Sequence, residues 1–427
     1  MKFKKNFLNY FIIFFSIISY FILFFLKKYS IAGAQIDFNS FYFRNIQNFK
    51  NDFLNSIYNY GSLGDANYPF DYIFHGFLNP FSQDENFYLL STLFIGFLTF
   101  VIFALALKKN EFSSLQSFSL ASLILLLPWF SGRAYWGTSL NLGYLLLVIA
   151  FYFFINVKRE KLYLNKKNIF FLCFFSSLAL YTRNSFIFFP IYIVLYMIIN
   201  KFTFRSQLNL ILTYLFFSIP GLFLIFIWGD IHDTKNLQIH EFHNIKNILK
   251  NIPIILNYFF FYLWPIFLIQ LKERGFRDFF YEYRNSFLVS FLFLIGLSIF
   301  GHLEYLYFMQ QGGGVILELG QYLNDKLNVI FILTSSLGFS LIYKFLKFDF
   351  KNNIILLLPL FLIFGFPSAL YQDYFEPLIF FLFFLGFIQN DFTDLLKNNI
   401  YQTSAIYFLY FAIYNFSALL YKNFIIS

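Results

Sequence analysis

Long apolar runs separated by short polar segments form the dominant pattern of this 427-residue chain. An apolar run of about 20 residues is long enough to cross a bilayer as a helix. Because several runs are short for a straight span, we predict an all-α, polytopic transmembrane helix bundle of about 11–13 spans. The apolar runs lie near residues 7–26, 87–107, 115–130, 139–155, 169–181, 185–199, 208–228, 252–270, 286–301, 328–345, 354–366, 374–389 and 404–421.

The polar stretch at residues 27–86 departs from this pattern, because it is far longer than a tether between two membrane helices. It contains the sequence GAQIDFNSFYF near its start and NYPFDYIFHGFLNP near its end. We predict that it is a large extracytoplasmic loop that carries short interfacial helices and the catalytic face of a membrane enzyme. The predicted organisation is a single integral membrane domain over 1–427, with a first span at 7–26 and the remaining helix bundle at 87–421.

Composition and charge place the chain in a membrane and orient it. Hydrophobic residues make up 59% of the chain and charged residues 12%, a balance that water-soluble proteins do not need. With a cytoplasmic N-terminus, most of the 31 Lys and Arg residues fall in the predicted cytoplasmic segments, as the positive-inside rule requires. We therefore expect an integral protein of the bacterial inner (plasma) membrane, with the lipid bilayer as a partner and the active site extracytoplasmic. Nucleic acid is not an expected partner, because the basic residues do not form one soluble stripe.

The first apolar run has a second interpretation. The N-terminal sequence MKFKKN followed by apolar residues also fits a secretory signal peptide, with Ala32–Gly33–Ala34 resembling a cleavage site. The run is longer than the apolar core of ~7–15 residues that is typical of such peptides. We therefore predict an uncleaved first span.

Asp37 is the first candidate for chemistry. It follows the predicted first span closely, so its carboxylate is expected near the outer membrane boundary, with Tyr42 shortly after it. A carboxylate there is suited to deprotonate an acceptor hydroxyl. The alternative interpretation is a solvated loop acid or a helix cap.

A second group of candidates precedes the second span. Tyr68 is followed by Pro69, which biases the backbone towards a fixed turn at the membrane surface. Asp71 and His75 are four residues apart and would share one face of a helix. The alternative is a structural turn with an interfacial histidine.

These motifs together resemble the C-type polytopic glycosyltransferases (GT-C superfamily), and most of all the polyprenyl-phosphate-mannose-dependent branch with its protein-mannosyltransferase-like relatives. Phe38 stands where some branches have a second acid, and Asn184 where proline is common. The resemblance covers roughly residues 7–200. The matching segments are Asp37–Phe38 with Tyr42, Tyr68–Pro69, Leu127–Pro128 with Arg133–Ala134–Tyr135, and Leu180–Tyr181–Thr182–Arg183–Asn184.

The resemblance implies a polyprenyl-phosphate sugar donor, an acceptor hydroxyl on a glycan, lipid or protein, and inversion at the anomeric carbon. Asp37 would be the general base, and Arg133 and Arg183 would bind the donor phosphate, which a guanidinium suits. The expected substrate-binding residues are Tyr42, Tyr68, Asp71, His75 and Glu304. The alternatives are a polysaccharide polymerase or ligase, and a flippase or transporter of lipid-linked oligosaccharides.

Residues able to bind a metal occur at 229–251, namely Asp230, His232, Asp233, His240, Glu241 and His243, but their spacing matches no recognised metal site. We therefore expect no resident metal and no cofactor, while a divalent cation that assists the reaction is left open.

Overall fold

A computed structural model describes residues 2–25, 34–63, 67–160, 165–228, 245–299, 315–316, 329–367, 370–389 and 400–421. These residues are predominantly helical and contain no β-strand. The all-α prediction is confirmed for this part of the chain. Every one of the predicted apolar runs contains helix.

Seven helices among the described residues are long and apolar enough to cross a membrane, which confirms an integral membrane protein. A pair of helices bent by 74°, Ser114–Leu126 and Pro128–Tyr135, raises the number to eight if it is one span. Two shorter apolar helices, Asn184–Ile199 and Phe350–Gly365, also occur. The finer count of about 11–13 spans stays a prediction.

The chain divides into two compact units, Met1–Ile239 with Phe408–Ser427, and His240–Tyr407. The described α-helices of the first unit are α1 (Lys2–Phe25), α2 (Ala34–Asp37), α3 (Phe43–Asn51), α4 (Phe53–Tyr58), α5 (Phe70–Ile73), α6 (Glu85–Lys109), α7 (Ser114–Ser122), α8 (Pro128–Tyr135), α9 (Ser139–Arg159), α10 (Lys166–Thr182), α11 (Phe188–Ile199) and α12 (Phe204–Trp228). Those of the second are α13 (Ile245–Arg274), α14 (Phe276–Ile299), α15 (Val329–Phe348), α16 (Phe350–Gly365) and α17 (Leu378–Phe384). The last helix, α18 (Ile400–Tyr421), is divided between the units after Tyr407.

The stretch between α1 and α6 is built of short helices around an aromatic core. A π-helical segment, Phe38–Tyr42, joins α2 to α3, and a second one, Phe74–Leu78, follows α5. Each buried aromatic side chain removes about 150–250 Å² from solvent, which stabilises this small region strongly. Its described core residues are Phe38, Tyr42, Ile46, Phe49, Ile57, Tyr60, Tyr72, Tyr88, Leu89 and Trp228. The position of these helices at a membrane interface stays a prediction.

Helix α6 begins at a side-chain cap and ends at two lysines. The Asp84 side chain accepts hydrogen bonds from the backbone N–H groups of Asn86 and Phe87, which caps the helix. Lys108 and Lys109 lie in its last turn, where positive charge offsets the negative end of the helix dipole. This well-defined start holds the end of the short-helix region against the bundle.

In the second unit, α13 packs closely against α15. A Cβ at Gly338 would collide with the backbone carbonyl of Leu256, so only glycine permits this approach. The Ser335 hydroxyl donates to the carbonyl of Pro253, which lies inside α13, at 3.0 Å. Close packing with polar bonds between helices is typical of membrane bundles.

Candidate active site

An ion pair joins the end of α2 to the last turn of α8. The Nη1 atom of Arg133 lies 2.6 Å from the Oδ2 atom of Asp37, although the two residues are 96 positions apart in sequence. The Arg133 side chain is 13% exposed and the Asp37 side chain 39%. The carboxylate is therefore held by a cation and still reaches the surface, as a general base needs.

The break before α8 directs Arg133 towards Asp37. Pro128 occupies the first position of α8, where its missing N–H costs nothing, and the chain bends by 74° at this point. The Tyr135 hydroxyl donates to the carbonyl of Tyr20 at 2.7 Å, which fixes the last turn of α8 on α1. Arg133 is thus presented by a short helix anchored at both ends.

An apolar groove of about 300 Å³ lies beside this pair, between the end of α1, the start of α6 and the end of α8. Phe24, Phe87 and Trp136 are among its lining residues, and Glu85 supplies a charge at its edge. The Trp136 ring packs against Phe38, the residue after Asp37, at 5.5 Å between ring centroids. The groove therefore adjoins the ion pair through these two rings.

Sequence reasoning did not single out Trp136. A signal was present, since Trp136 is an aromatic residue only three positions after Arg133. That spacing alone does not show that the ring lines a groove.

Tyr42, Asp71 and His75 form a second cluster, and all three are buried. The Tyr42 hydroxyl donates to Oδ2 of Asp71. The Nε2 atom of His75 lies 4.0 Å from Oδ1 of Asp71, which is too far for a hydrogen bond. These contacts join the first π-helical segment to α5 and to the second π-helical segment.

The hydrogen bond from Asn79 determines which ring nitrogen of His75 carries the proton. Its Oδ1 accepts from the backbone N–H of Phe81, so its Nδ2 is the atom that faces Nδ1 of His75, at 3.0 Å. Because Nδ1 accepts this bond, the imidazole proton is on Nε2, the atom that faces Asp71. Burial lowers the pKa of His75 to about 3, so the ring is neutral at neutral pH. Burial, and next the Asp71 charge, raise the pKa of Tyr42, which keeps its hydroxyl protonated as the donor.

The burial of Tyr42, Asp71 and His75 favours a positioning role over direct contact with a substrate. The chain after Asp37 runs through the π-helical segment to Tyr42, so the bond from Tyr42 to Asp71 restrains the carboxylate. Segments of π-helix recur at functional sites because the extra residue redirects side chains. Substrate contact by the three residues stays a prediction.

Tyr68 packs against the aromatic core of the short-helix region, and Arg183 directly follows α10. Tyr68 is half-buried; it packs edge-on against Tyr181 at 5.6 Å and stacks with Trp228 at 6.1 Å. Burial raises the pKa of Tyr68, so its hydroxyl is protonated. Arg183 directly follows α10 in an extended conformation and is half-buried. The cation on the Asp37 carboxylate is Arg133. Arg183 lies two residues after Tyr181, the ring that Tyr68 contacts.

Glu304 lies outside the described residues, as do His232, His240 and His243. In the described part of the chain, no three His, Cys, Asp or Glu side chains are grouped so as to hold a metal ion.

Comparisons with known proteins find no match to a family model, to a curated protein or to a solved structure.

Proposed function

We propose that the protein is a GT-C-type glycosyltransferase that transfers a sugar from a polyprenyl-phosphate donor to an acceptor hydroxyl at the extracytoplasmic face of a bacterial inner membrane. The observation that carries the proposal is the Asp37–Arg133 ion pair beside an apolar groove. A reaction between a lipid-borne sugar and a polar acceptor needs a base, a cation for phosphate and an apolar surface. These three elements adjoin one another here.

Asp37 is the general base in this proposal. Its carboxylate takes the proton of the acceptor hydroxyl while the acceptor oxygen attacks the anomeric carbon from the side opposite the phosphate. The bond from the anomeric carbon to the phosphate oxygen breaks, and polyprenyl phosphate leaves with the bonding electrons. A single displacement of this kind inverts the anomeric configuration.

Arg133 has two tasks in this scheme. One N–H group holds the Asp37 carboxylate in a fixed orientation. A guanidinium carries five N–H donors in a planar fork that matches phosphate oxygens, so Arg133 is proposed to bind the phosphate oxygen on which charge develops. Arg183 is proposed as a second phosphate ligand. The groove at Phe24 and Trp136 is proposed to take the apolar chain of the donor.

The test is sugar transfer by purified protein reconstituted in liposomes, with a panel of defined polyprenyl-phosphate sugars and radiolabel counted in the acceptor fraction. Asp37→Asn is expected to lower turnover by about 100-fold or more, the usual contribution of a general base. Asp52→Asn is the matched control, because Asp52 is an exposed acid of the same region that caps α4, and asparagine caps equally well.

Full turnover by Asp37→Asn would remove Asp37 from the reaction. If wild-type protein transfers none of the sugars but moves the intact lipid-linked sugar across the bilayer, the flippase alternative replaces the proposal. Growth of a lipid-linked polymer by addition of whole repeat units would favour the polymerase or ligase alternative.

A further inference from the structure

Helices α10 and α12 run parallel to each other. The Sγ atom of Cys173 lies 3.9 Å from the carbonyl oxygen of Leu210, and further along the Tyr181 hydroxyl donates to the carbonyl of Phe217 at 2.7 Å. Later residues of one helix thus meet later residues of the other, which makes the pair parallel. Residues of both helices also line a space beside these contacts.

That space is a groove of about 400 Å³ that opens on the outside of the bundle. Lys166 and Phe170 line it from α10, at the spacing of one helical turn. Asn209, Thr213 and Phe216 line it from α12, again along one face of the helix. The lining therefore combines a cation, an amide and a hydroxyl with aromatic rings.

The groove contains an amide and a hydroxyl that are able to bond to a ligand. Among the described residues, the Asn209 side chain makes no hydrogen bond, although it lies on a helix apolar enough to span a membrane. The Thr213 hydroxyl donates to the carbonyl of Asn209 at 2.6 Å, and its oxygen remains able to accept. The Asn209 amide, which can both donate and accept, is therefore able to bond to a ligand in the groove.

Positive charge gathers at this end of both helices. Lys166 and Lys167 lie in the first turn of α10, and Lys201 and Arg205 lie at the turn before α12 and in its first turn. The acid nearby, Glu160, accepts hydrogen bonds from the backbone of Asn165 and the side chain of Asn168. Two helix N-termini add positive potential at the same end. The mouth of the groove is therefore suited to an anion.

We propose that this groove is a binding site for one anionic phospholipid of the surrounding bilayer. The lipid phosphate lies on the ammonium group of Lys166, the ester region of the lipid faces Asn209 and Thr213, and an acyl chain follows Phe170 and Phe216. A free inorganic anion would use the mouth and leave the apolar lining exposed. This site is independent of the sugar-transfer proposal and of the Asp37 region.

Tryptophan quenching by brominated lipid tests the site in nanodiscs. Leu212→Trp places a reporter in the groove lining, and Leu215→Trp places one on the same helix outside it. Leu212 is 53% and Leu215 57% exposed, so the two reporters are matched in access to lipid. Quenching of each added tryptophan is measured as the difference from wild type, with brominated phosphatidylglycerol and brominated phosphatidylcholine.

The reporter at 212 is expected to prefer phosphatidylglycerol by about fivefold, the factor that one surface cation contributes, while the reporter at 215 shows no preference. Lys166→Gln is expected to abolish that preference, and Lys347→Gln, which removes an exposed cation of α15, is expected to preserve it. Equal quenching by both lipids at 212, or a preference that survives Lys166→Gln, would overturn the proposal. Loss of the preference on addition of inorganic phosphate would show a free-anion site instead.

Discussion

The hydroxyl of Tyr42 donates a hydrogen bond to the carboxylate of Asp71, 29 residues away in sequence. Surrounding aromatic rings shield this bond from solvent. The bond links the π-helical segment after Asp37 to the helix that leads to His75. In a region built of short helices, a buried bond of this kind restrains the backbone more than helix propensity does. The placement of Asp37 therefore depends on a contact outside its own helix.

Tyr42→Phe tests this link. Removal of the hydroxyl leaves the buried Asp71 carboxylate with one hydrogen bond fewer, so we expect a loss of about 1–3 kcal/mol in the free energy of unfolding. Chemical unfolding of purified protein in detergent measures it. Tyr58→Phe is the control, since Tyr58 is an exposed tyrosine of the same region. Equal effects of the two substitutions would contradict a specific role of the Tyr42–Asp71 bond.

The neutral state of His75 predicts a pH dependence of stability. Its folded pKa of about 3 lies below the unfolded value near 6.5, so the unfolded state binds a proton first as the pH falls. Stability is then unaffected by His75 above about pH 6.5 and decreases as the pH falls from there towards 3. Between pH 7.5 and pH 5.0 the expected loss is at most about 2 kcal/mol.

The comparison for His75 is His75→Gln, whose amide can still accept from Asn79 but does not titrate. Unfolding of both proteins at the two pH values isolates the contribution of this one histidine from that of the others. The substituted protein should lose less stability between them. Identical losses would mean that His75 is already protonated, or reached by solvent, in the folded protein.

Arg133 is expected to matter far more for activity than for stability. A partly exposed ion pair contributes at most about 1 kcal/mol to folding. Loss of orientation of a catalytic group costs about 100-fold in rate. Arg133→Gln should therefore show near-normal unfolding and a large loss of sugar transfer, mostly in kcat. Arg159→Gln, which removes a cation near Glu111 at the surface, is the matched control. Normal sugar transfer by the Arg133→Gln protein would show that the ion pair has no role in the reaction.

The close packing of α6 against α8 predicts that one added methyl group destabilises the protein. A Cβ at Gly96 would lie 2.7 Å from Cβ of Ala134 and would also collide with the Tyr20 hydroxyl, so Gly96→Ala must push α8 away from α6. We expect a destabilisation of about 1–3 kcal/mol, typical of overpacking. Gly296→Ala serves as the control, because no atom lies within 4 Å of the added carbon and alanine favours helix.

Gly96→Ala should also lower sugar transfer, since Ala134 adjoins Arg133. Thermal unfolding and transfer assays on both glycine variants measure the two effects. A stable and fully active Gly96→Ala protein would show that α8 can shift without moving the Asp37–Arg133 pair.

Part of the candidate site could be predicted from the amino-acid sequence. The Asn-Pro pair at Asn79–Pro80 is a helix-start signal, and Asn79 does cap the short helix after it. The four-residue spacing of Asp71 and His75 correctly predicted a shared helix face. It did not predict that the face is buried, because the same spacing fits an exposed helix equally well. Burial depends on α6 and on Trp228, which approach from distant parts of the chain.

The amino-acid sequence by itself determined the all-helical, membrane-spanning character of this protein. Its apolar runs have the length that a bilayer requires, and a backbone in lipid must satisfy its own hydrogen bonds. Only the tertiary structure decided that Arg133 lies on Asp37 and that Tyr42, Asp71 and His75 are enclosed. The physical reason is that local pattern sets which face of a helix is apolar or charged, whereas the packing of distant helices decides what that face meets.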